Sequence, residues 1–366
     1  MKLTIVTPRF TIAGVPLAQL RFARSLAAQG HDVDLIIGHI EPGNKINNLQ
    51  NVNIVDFNTK SVRGMLWPLI KYFFISRPEV VFSAEDHLNI IVIMASIFSF
   101  SKAKISGSSR VTPFDTYSDV FLSKGWILKQ FSKLLMKRAA VLSCVSKDMV
   151  MQYKKVFPNS PHICIYNIVD DIESRKKIHE HQSHSWLIDK KCPVIIGAGK
   201  LAEWKGFDNL INAVAECKKS LNIKLIILGD GPLKEVLSSQ IKALDLEDSI
   251  ELKGFVENPL NYYSNADVFV LSSRVEGLPN VLVEAMMCGC TPVSTDCPTG
   301  PRELLQDGKY GYIVPVDDHI RLAEGIIKAI NDPIDAEKLQ EAVKPFEEKA
   351  VIKSHFNALG INIDLN

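Results

Sequence analysis

The chain has 366 residues, 46% hydrophobic and 23% charged, enough to bury a sizeable core and to fill two domains of ordinary size. A formal net charge of +1 argues against a polyelectrolyte partner such as duplex DNA, although a balanced total can hold a local basic patch, and no nucleic-acid partner is expected. The seven cysteines form no CxxC pair, which fits a reducing compartment, and no fourth ligand in phase turns Cys288, Cys290 and Cys297 into a metal cluster.

The opening segment alternates like a strand and has no apolar stretch with a small-residue cleavage site, so a cytoplasmic protein is expected. Leu3 to Thr7 reads as strand, Leu17 to Gln29 as an amphipathic helix capped at Gly30, and Val33 to Ile37 as the next strand. Val80 to Ser83, Lys104 to Ser106 and Val141 to Val145 continue the series, giving six or seven expected strands in this half. The longest apolar run, Asn89 to Phe100, is too short to cross a bilayer and suits a helix between buried strands. From Asp170 to Lys191 the chain crowds Glu, Lys, His and Ser without an apolar period and reads as a connector. Strands resume at Pro193 to Gly199, followed by a helix from about Phe207 and strands at Lys224 to Leu228, Ile250 to Lys253, Val268 to Leu271 and Thr291 to Ser294. Two successive runs of βαβ units predict an α/β protein with two Rossmann-like domains, each built on a parallel sheet. The expected boundaries are 1–170, a connector at 171–191, 192–335, and a helical segment at 336–366 that returns to the first domain.

In open α/β sheets ligands collect beyond the carboxyl ends of strands, so the loops that leave strands carry the chemistry. Gly199 to Gly206 sets Lys200 and Lys205 between a strand end and a helix start, where two ammonium groups can meet one diphosphate; a solvated loop with surface lysines is the alternative. Gly229-Asp230-Gly231 lets the backbone approach a ligand or turn tightly. Ser273-Arg274-Val275-Glu276-Gly277-Leu278-Pro279-Asn280 leads into a helix that carries Glu284. There a loop carboxylate, Glu276, can accept hydrogen bonds from sugar hydroxyls beside helix N-terminal amides suited to phosphate, while Glu284 can chelate a ribose diol. Glu284 stands in a turn that looks buried, between Val283 and Ala285. Thr295 to Glu303 forms a fourth loop, shaped by Pro298, Gly300 and Pro301.

Together these residues resemble the family 4 glycosyltransferases of the GT-B fold, retaining enzymes that use nucleotide sugars and carry two Rossmann-like domains with parallel sheets facing across a cleft. The resemblance spans most of the chain and is most specific at Glu276 and Glu284, two glutamates with seven residues between them. It implies that Lys200 and Lys205 bind the diphosphate, that Glu276 holds the donor sugar beside Gly277 and Leu278, and that Glu284 binds the ribose. Gly14 is the first-domain contact, in Ala13-Gly14-Val15 where the family commonly has a Gly-Gly pair. Lys200 stands where the family usually has Arg, a change that keeps the charge and loses the bidentate fork. Arg110 occupies the position of a family His and cannot act as a base, which leaves His87 and Asp115 as catalytic candidates beside Glu276 and Arg110. In this retaining class the departing phosphate can take the acceptor proton on the same face, with Arg110 stabilising its charge. Asp32-Val33-Asp34 has a DxD spacing at a strand start and reads as strand-edge solvation. No metal and no cofactor are expected, lysines and helix dipoles taking the place of a divalent cation.

Phe121 to Ala140 reads as a basic amphipathic helix with Lys129, Lys133 and Lys137 in phase, and Val62 to Arg77 is a second aromatic-rich candidate. The expected partners are a nucleotide sugar, a glycan or lipid-linked acceptor, and an anionic membrane contacted peripherally at the inner face of the plasma membrane. Two other readings fit the same fold: a nucleotide-sugar 2-epimerase, and a non-catalytic subunit that binds a nucleotide sugar. An NAD-dependent oxidoreductase is disfavoured because neither half has GxGxxG after its first strand.

Overall fold

The computed structural model describes residues 1–11, 14–43, 46 and 51–364. The chain divides into two compact units, Met1–Ile168 with Glu348–Asn366, and Val169–Glu347.

In the first unit β1 (Lys2–Thr7), α1 (Gly14–Ala28), β2 (Asp32–Ile37), β3 (Val52–Asp56), α2 (Leu66–Ser76), β4 (Val80–Ala84) and α3 (Asp86–Phe98) follow one another. They continue as β5 (Lys104–Ser109), α4 (Pro113–Thr116), α5 (Lys124–Leu135), β6 (Val141–Cys144), α6 (Lys147–Val156) and β7 (His162–Cys164). The strands pair in parallel in the order β3-β2-β1-β4-β5-β6-β7. The period of two decides which side chain meets which layer. Leu3, Ile5, Val33, Leu35, Ile37 and Phe82 turn to Phe22 and Leu26 of α1, whereas Val6, Ile36 and Val81 turn to Leu69 and Phe73 of α2 and Val92 of α3. Both faces are covered, which is why these strands read as continuous apolar runs.

The same alternation corrects one expectation. Asp34 is not a solvated strand edge: it is buried, 4% exposed, and accepts hydrogen bonds from Asn53 Nδ2 at 2.8 Å and from the Tyr72 hydroxyl. Asp34 shares its face with Ile36 and so lies under α2, whereas Asp32, on the same face, is the first residue of the strand and stays at the exposed rim.

The second unit begins in the stretch expected as a connector. Instead of a plain linker, 171–191 holds α7 (Ile172–Ile178), N-capped by Asp171 whose carboxylate accepts from Ser174 N at 2.7 Å, and α8 (Ser185–Ile188), capped by His184. The caps supply what the weak apolar period does not. Then come β8 (Val194–Ala198), α9 (Phe207–Cys217), β9 (Lys224–Leu228), α10 (Lys234–Ala243), β10 (Ile250–Gly254), α11 (Leu260–Tyr263) and β11 (Val268–Leu271). They are followed by α12 (Asn280–Met287), β12 (Thr291–Thr295), α13 (Pro301–Leu304), β13 (Tyr312–Val314), α14 (His319–Asn331) and α15 (Ala336–Val343). The sheet is again parallel, β10-β9-β8-β11-β12-β13, and α9 and α14 cover one face around Leu210, Val214, Leu322 and Ile326. Helix α15 stays with this unit. Only α16 (Glu348–Ala358) belongs to the first, where Val351, Ile352 and Phe356 join the layer of α1. Among the described residues no helix is long and apolar enough to cross a membrane.

Candidate functional site

The second sheet runs outward from β8 in both directions, to β9 and to β11, so the loops leaving β8 and β11 part at the topological switch point. They are the loops that carry Lys205 and Glu276. Lys205 Nζ donates to Glu276 Oε1 at 2.5 Å, and Ser273 Oγ donates to the same oxygen at 2.6 Å. With the two side chains only 17% and 10% exposed, little water screens this pair. Close backbone packing brings the loops together. Gly206 sits at φ +62, where a Cβ would overlap the Ser272 carbonyl, and Ser272 Oγ donates to Lys205 O at 2.9 Å. Gly231 packs against the Leu201 backbone in the same way, so the Gly229-Asp230-Gly231 turn closes tightly onto the Gly199 to Gly206 loop.

Arg274 locks the arrangement. Its guanidinium spans both oxygens of Asp208 at 3.0 and 2.7 Å and reaches Asp317 at 2.7 Å, while its amide donates to Trp204 O at 2.8 Å. The carboxylates, Asp208 first, raise its affinity for its proton above the ordinary value. Lys200 stands apart from this pairing: it is exposed, its ammonium lying 5.9 Å from the Trp204 ring centroid. Gly277 and Leu278 form the turn before α12, held from below by Thr299, whose hydroxyl donates to Glu276 O, and by Gly300 packed against Pro279. Glu284 lies one turn into α12 and is half-buried rather than enclosed. Its charge adds to the burial that holds the Tyr263 phenol well above its usual range.

In the first unit the corresponding switch falls between β1 and β4. Gly14 opens α1 at φ +47, and a Cβ there would meet nothing within 4 Å, so conformation and not crowding calls for glycine; Ala13 lies outside the described residues. After β4, Glu85 takes φ +80, an uncommon backbone for a residue with a side chain. His87 follows, its ring 47% exposed and Nε2 3.2 Å from Glu85 Oε2. Asp86 between them is anchored, accepting from Ser109 Oγ at 2.5 Å, Tyr117 OH at 2.7 Å and Tyr153 OH at 2.6 Å. Burial pushes its carboxyl up, against the three hydroxyls.

Arg110 follows β5 and donates to Asn167 Oδ1, while its Nε is sealed from solvent without a partner. Burial lowers the guanidinium to about 10, so it remains charged at neutral pH. It lines a small cavity with Gln19, Ser83, Asn167 and His355, whose imidazole is pushed down to about 3 by burial and then by the Arg110 charge. Asp115 is exposed on α4. Asp86, Arg274 and His355 escaped sequence reasoning because their partners lie far along the chain, 67 residues away for Tyr153 and 66 for Asp208. The one available signal was the acid-rich strand end at Glu85 and Asp86. Among the described residues no group of three or more His, Cys, Asp or Glu is placed to hold a metal ion, and all seven cysteines are free thiols.

The family described as "Glycosyl transferases group 1" matches residues 179–345. The chain is 32% identical over 276 residues to the N-acetylgalactosamine-N,N'-diacetylbacillosaminyl-diphospho-undecaprenol 4-alpha-N-acetylgalactosaminyltransferase of Campylobacter jejuni, covering 75% of this chain and 69% of that one. It is 34% identical over 139 residues to the lipopolysaccharide core biosynthesis glycosyltransferase LpsE of Rhizobium meliloti, 38% of each chain. A crystal structure of Anabaena HepE in complex with UDP superposes with a TM-score of 0.80 at 18% identity, covering 98% of this chain and all of that one, and is similar in fold.

Proposed function

The chain belongs to the group 1 glycosyl transferases, and from that premise we propose that it moves a sugar from a UDP-sugar to an acceptor hydroxyl with retained anomeric configuration, as the family 4 resemblance implies. It is a hexosyl-transferring glycosyltransferase with the two Rossmann-like halves of the GT-B fold. The acceptor in this reading is a glycan or a lipid-linked glycan of surface polysaccharide or lipopolysaccharide synthesis. The Campylobacter relative, named for a diphospho-undecaprenol acceptor, and the Rhizobium relative, named for the lipopolysaccharide core, support it. The UDP in the HepE structure supports the donor.

The observation that carries the proposal is the Lys205–Glu276 pair at the switch point of the second sheet. A diphosphate arriving at Lys205 competes with Glu276 for the ammonium. Drawing Lys205 away leaves the carboxylate, still held by Ser273, to accept hydrogen bonds from the hydroxyls of the sugar. Lys205 then neutralises charge as it grows on the leaving diphosphate, with Lys200 an exposed second ammonium and no metal required. Glu284 takes the ribose. Arg110 steadies the departing charge, and His87 or Asp115 guides the acceptor. Peripheral docking on an anionic leaflet belongs to the same reading, through the basic, apolar stripe of α5.

Calorimetric titration of UDP in the presence of EDTA tests the donor site. Wild type is expected to bind with a Kd of about 10 µM and Glu284→Ala at least about tenfold more weakly. Undetectable UDP binding by wild type, or an unchanged mutant, refutes the assignment. Turnover of the donor to an epimer without any acceptor would favour the 2-epimerase instead.

A further inference from the structure

Apart from the strand-end loops, the first unit has a groove between α2, α3 and α5. Its floor is apolar, made by Leu66 of α2, Ile91 and Met94 of α3, and Ile127 and Phe131 of α5. Its charged and titratable lining is Arg63, just before α2, His87 in the first turn of α3, and Lys124 at the start of α5. The parallel sheet puts these three at one end. Each helix lies in a crossover between two successive parallel strands and returns the chain to the start of the next one, so the three helix N-termini lie towards the edge where the strands finish. Three positive helix ends and two ammonium or guanidinium groups therefore converge there. Neither Arg63 nor Lys124 forms an ion pair among the described residues. Met94 lies seven residues after His87, about 10 Å along α3, and no charged residue lines the groove at that end.

An anionic head and an apolar tail, in that order along the groove, match this polarity. We propose that the groove holds an isoprenoid phosphate: the phosphate at Arg63 and Lys124, the first branched hydrocarbon units along α3 between Met94 and Phe131. It would anchor a lipid-linked acceptor with its head at the strand-end edge that also carries Arg110. This role rests on the transferase reading; the binding itself does not.

The probe is farnesyl diphosphate, titrated by calorimetry against inorganic diphosphate, with UDP saturating so that the nucleotide site is filled. Farnesyl diphosphate is expected to bind at least about tenfold more tightly than inorganic diphosphate. Ile127→Ser with Phe131→Ser, both more than 40% exposed in the native chain, should erase that advantage and spare the fold. Arg63→Ala with Lys124→Ala should weaken both ligands. Equal affinities for the two diphosphates, or an advantage that survives the serine variant, overturn the proposal. So does equally tight binding of dihexanoyl phosphatidic acid, which would make the groove a contact for bulk membrane lipid. If UDP itself fails to bind, the donor reading falls and the groove is still decided by its own titration.

Discussion

Lys205 and Glu276 stand 71 residues apart, and their pairing carries a kinetic consequence. Because each restrains the other before donor arrives, removing either also frees its partner. Glu276→Gln is expected to lower kcat by about 100-fold, and Lys205→Met to weaken UDP binding about tenfold. The double variant should lose less than the product of the two, as contacting residues do; a strictly multiplicative loss in kcat/KM would show that the pair is not shared with the donor. The sequence was enough to put Glu276 in a loop after an apolar strand and Glu284 one turn into a helix. It did not say that Lys205 faces Glu276 while Lys200 lies over Trp204, because the direction of a loop side chain depends on what packs against it. Gly206 against Ser272 and Arg274 across Asp208 and Asp317 make that decision.

Helices α2 and α5 show how far an amphipathic pattern can be read. In α5 Ile127 and Phe131 line the groove, and the exposed apolar residue outside it is Leu134, with Lys133 beside it and Lys137 just beyond, while in α2 the exposed stripe holds Trp67, Lys71, Phe74 and Ile75. Period alone identifies a two-sided helix but not which side meets the sheet, and in both helices the apolar residues exceed what the sheet can cover. If this surface lies on anionic lipid, Lys133→Glu with Lys137→Glu should abolish co-sedimentation with phosphatidylglycerol vesicles and leave UDP affinity unaltered. Sedimentation by wild type that is the same with neutral and anionic vesicles would rule out the electrostatic contact. Lys129 is left out of the test because it is already paired to Asp119 at 2.6 Å.

Across the molecule, the two units differ in how they should answer acid. Burial pushes His162 down to about 4 and His355 to about 3, and both belong to the first unit. Unfolded, each takes its proton near 6.5, so between that pH and about 4 the unfolded chain binds more protons than the folded one. Their contribution is therefore complete above pH 6.5 and is lost as pH falls. The urea midpoint of the first unit, followed by hydrogen exchange in β1 and β4, should drop from pH 7 to pH 5. His355→Phe, placed between Phe22 and Phe82, should make that drop shallower, and an unchanged slope would exclude His355 as its source.

Most strand positions, the doubled βαβ pattern and the strand-end loops follow from the sequence alone, because period and turn chemistry are local and repeat along the chain, whereas the edge strands β3, β7 and β13 were not read from it. So does the helical character of the C-terminal segment, although its division did not: α15 stays with the second unit and α16 completes the first. The burial of Asp34, the hydroxyl cage around Asp86 and the His355 cavity were decided only by the tertiary structure. Each joins residues from separate strands or helices, and such contacts are set by sheet order and packing, which no window along the chain contains.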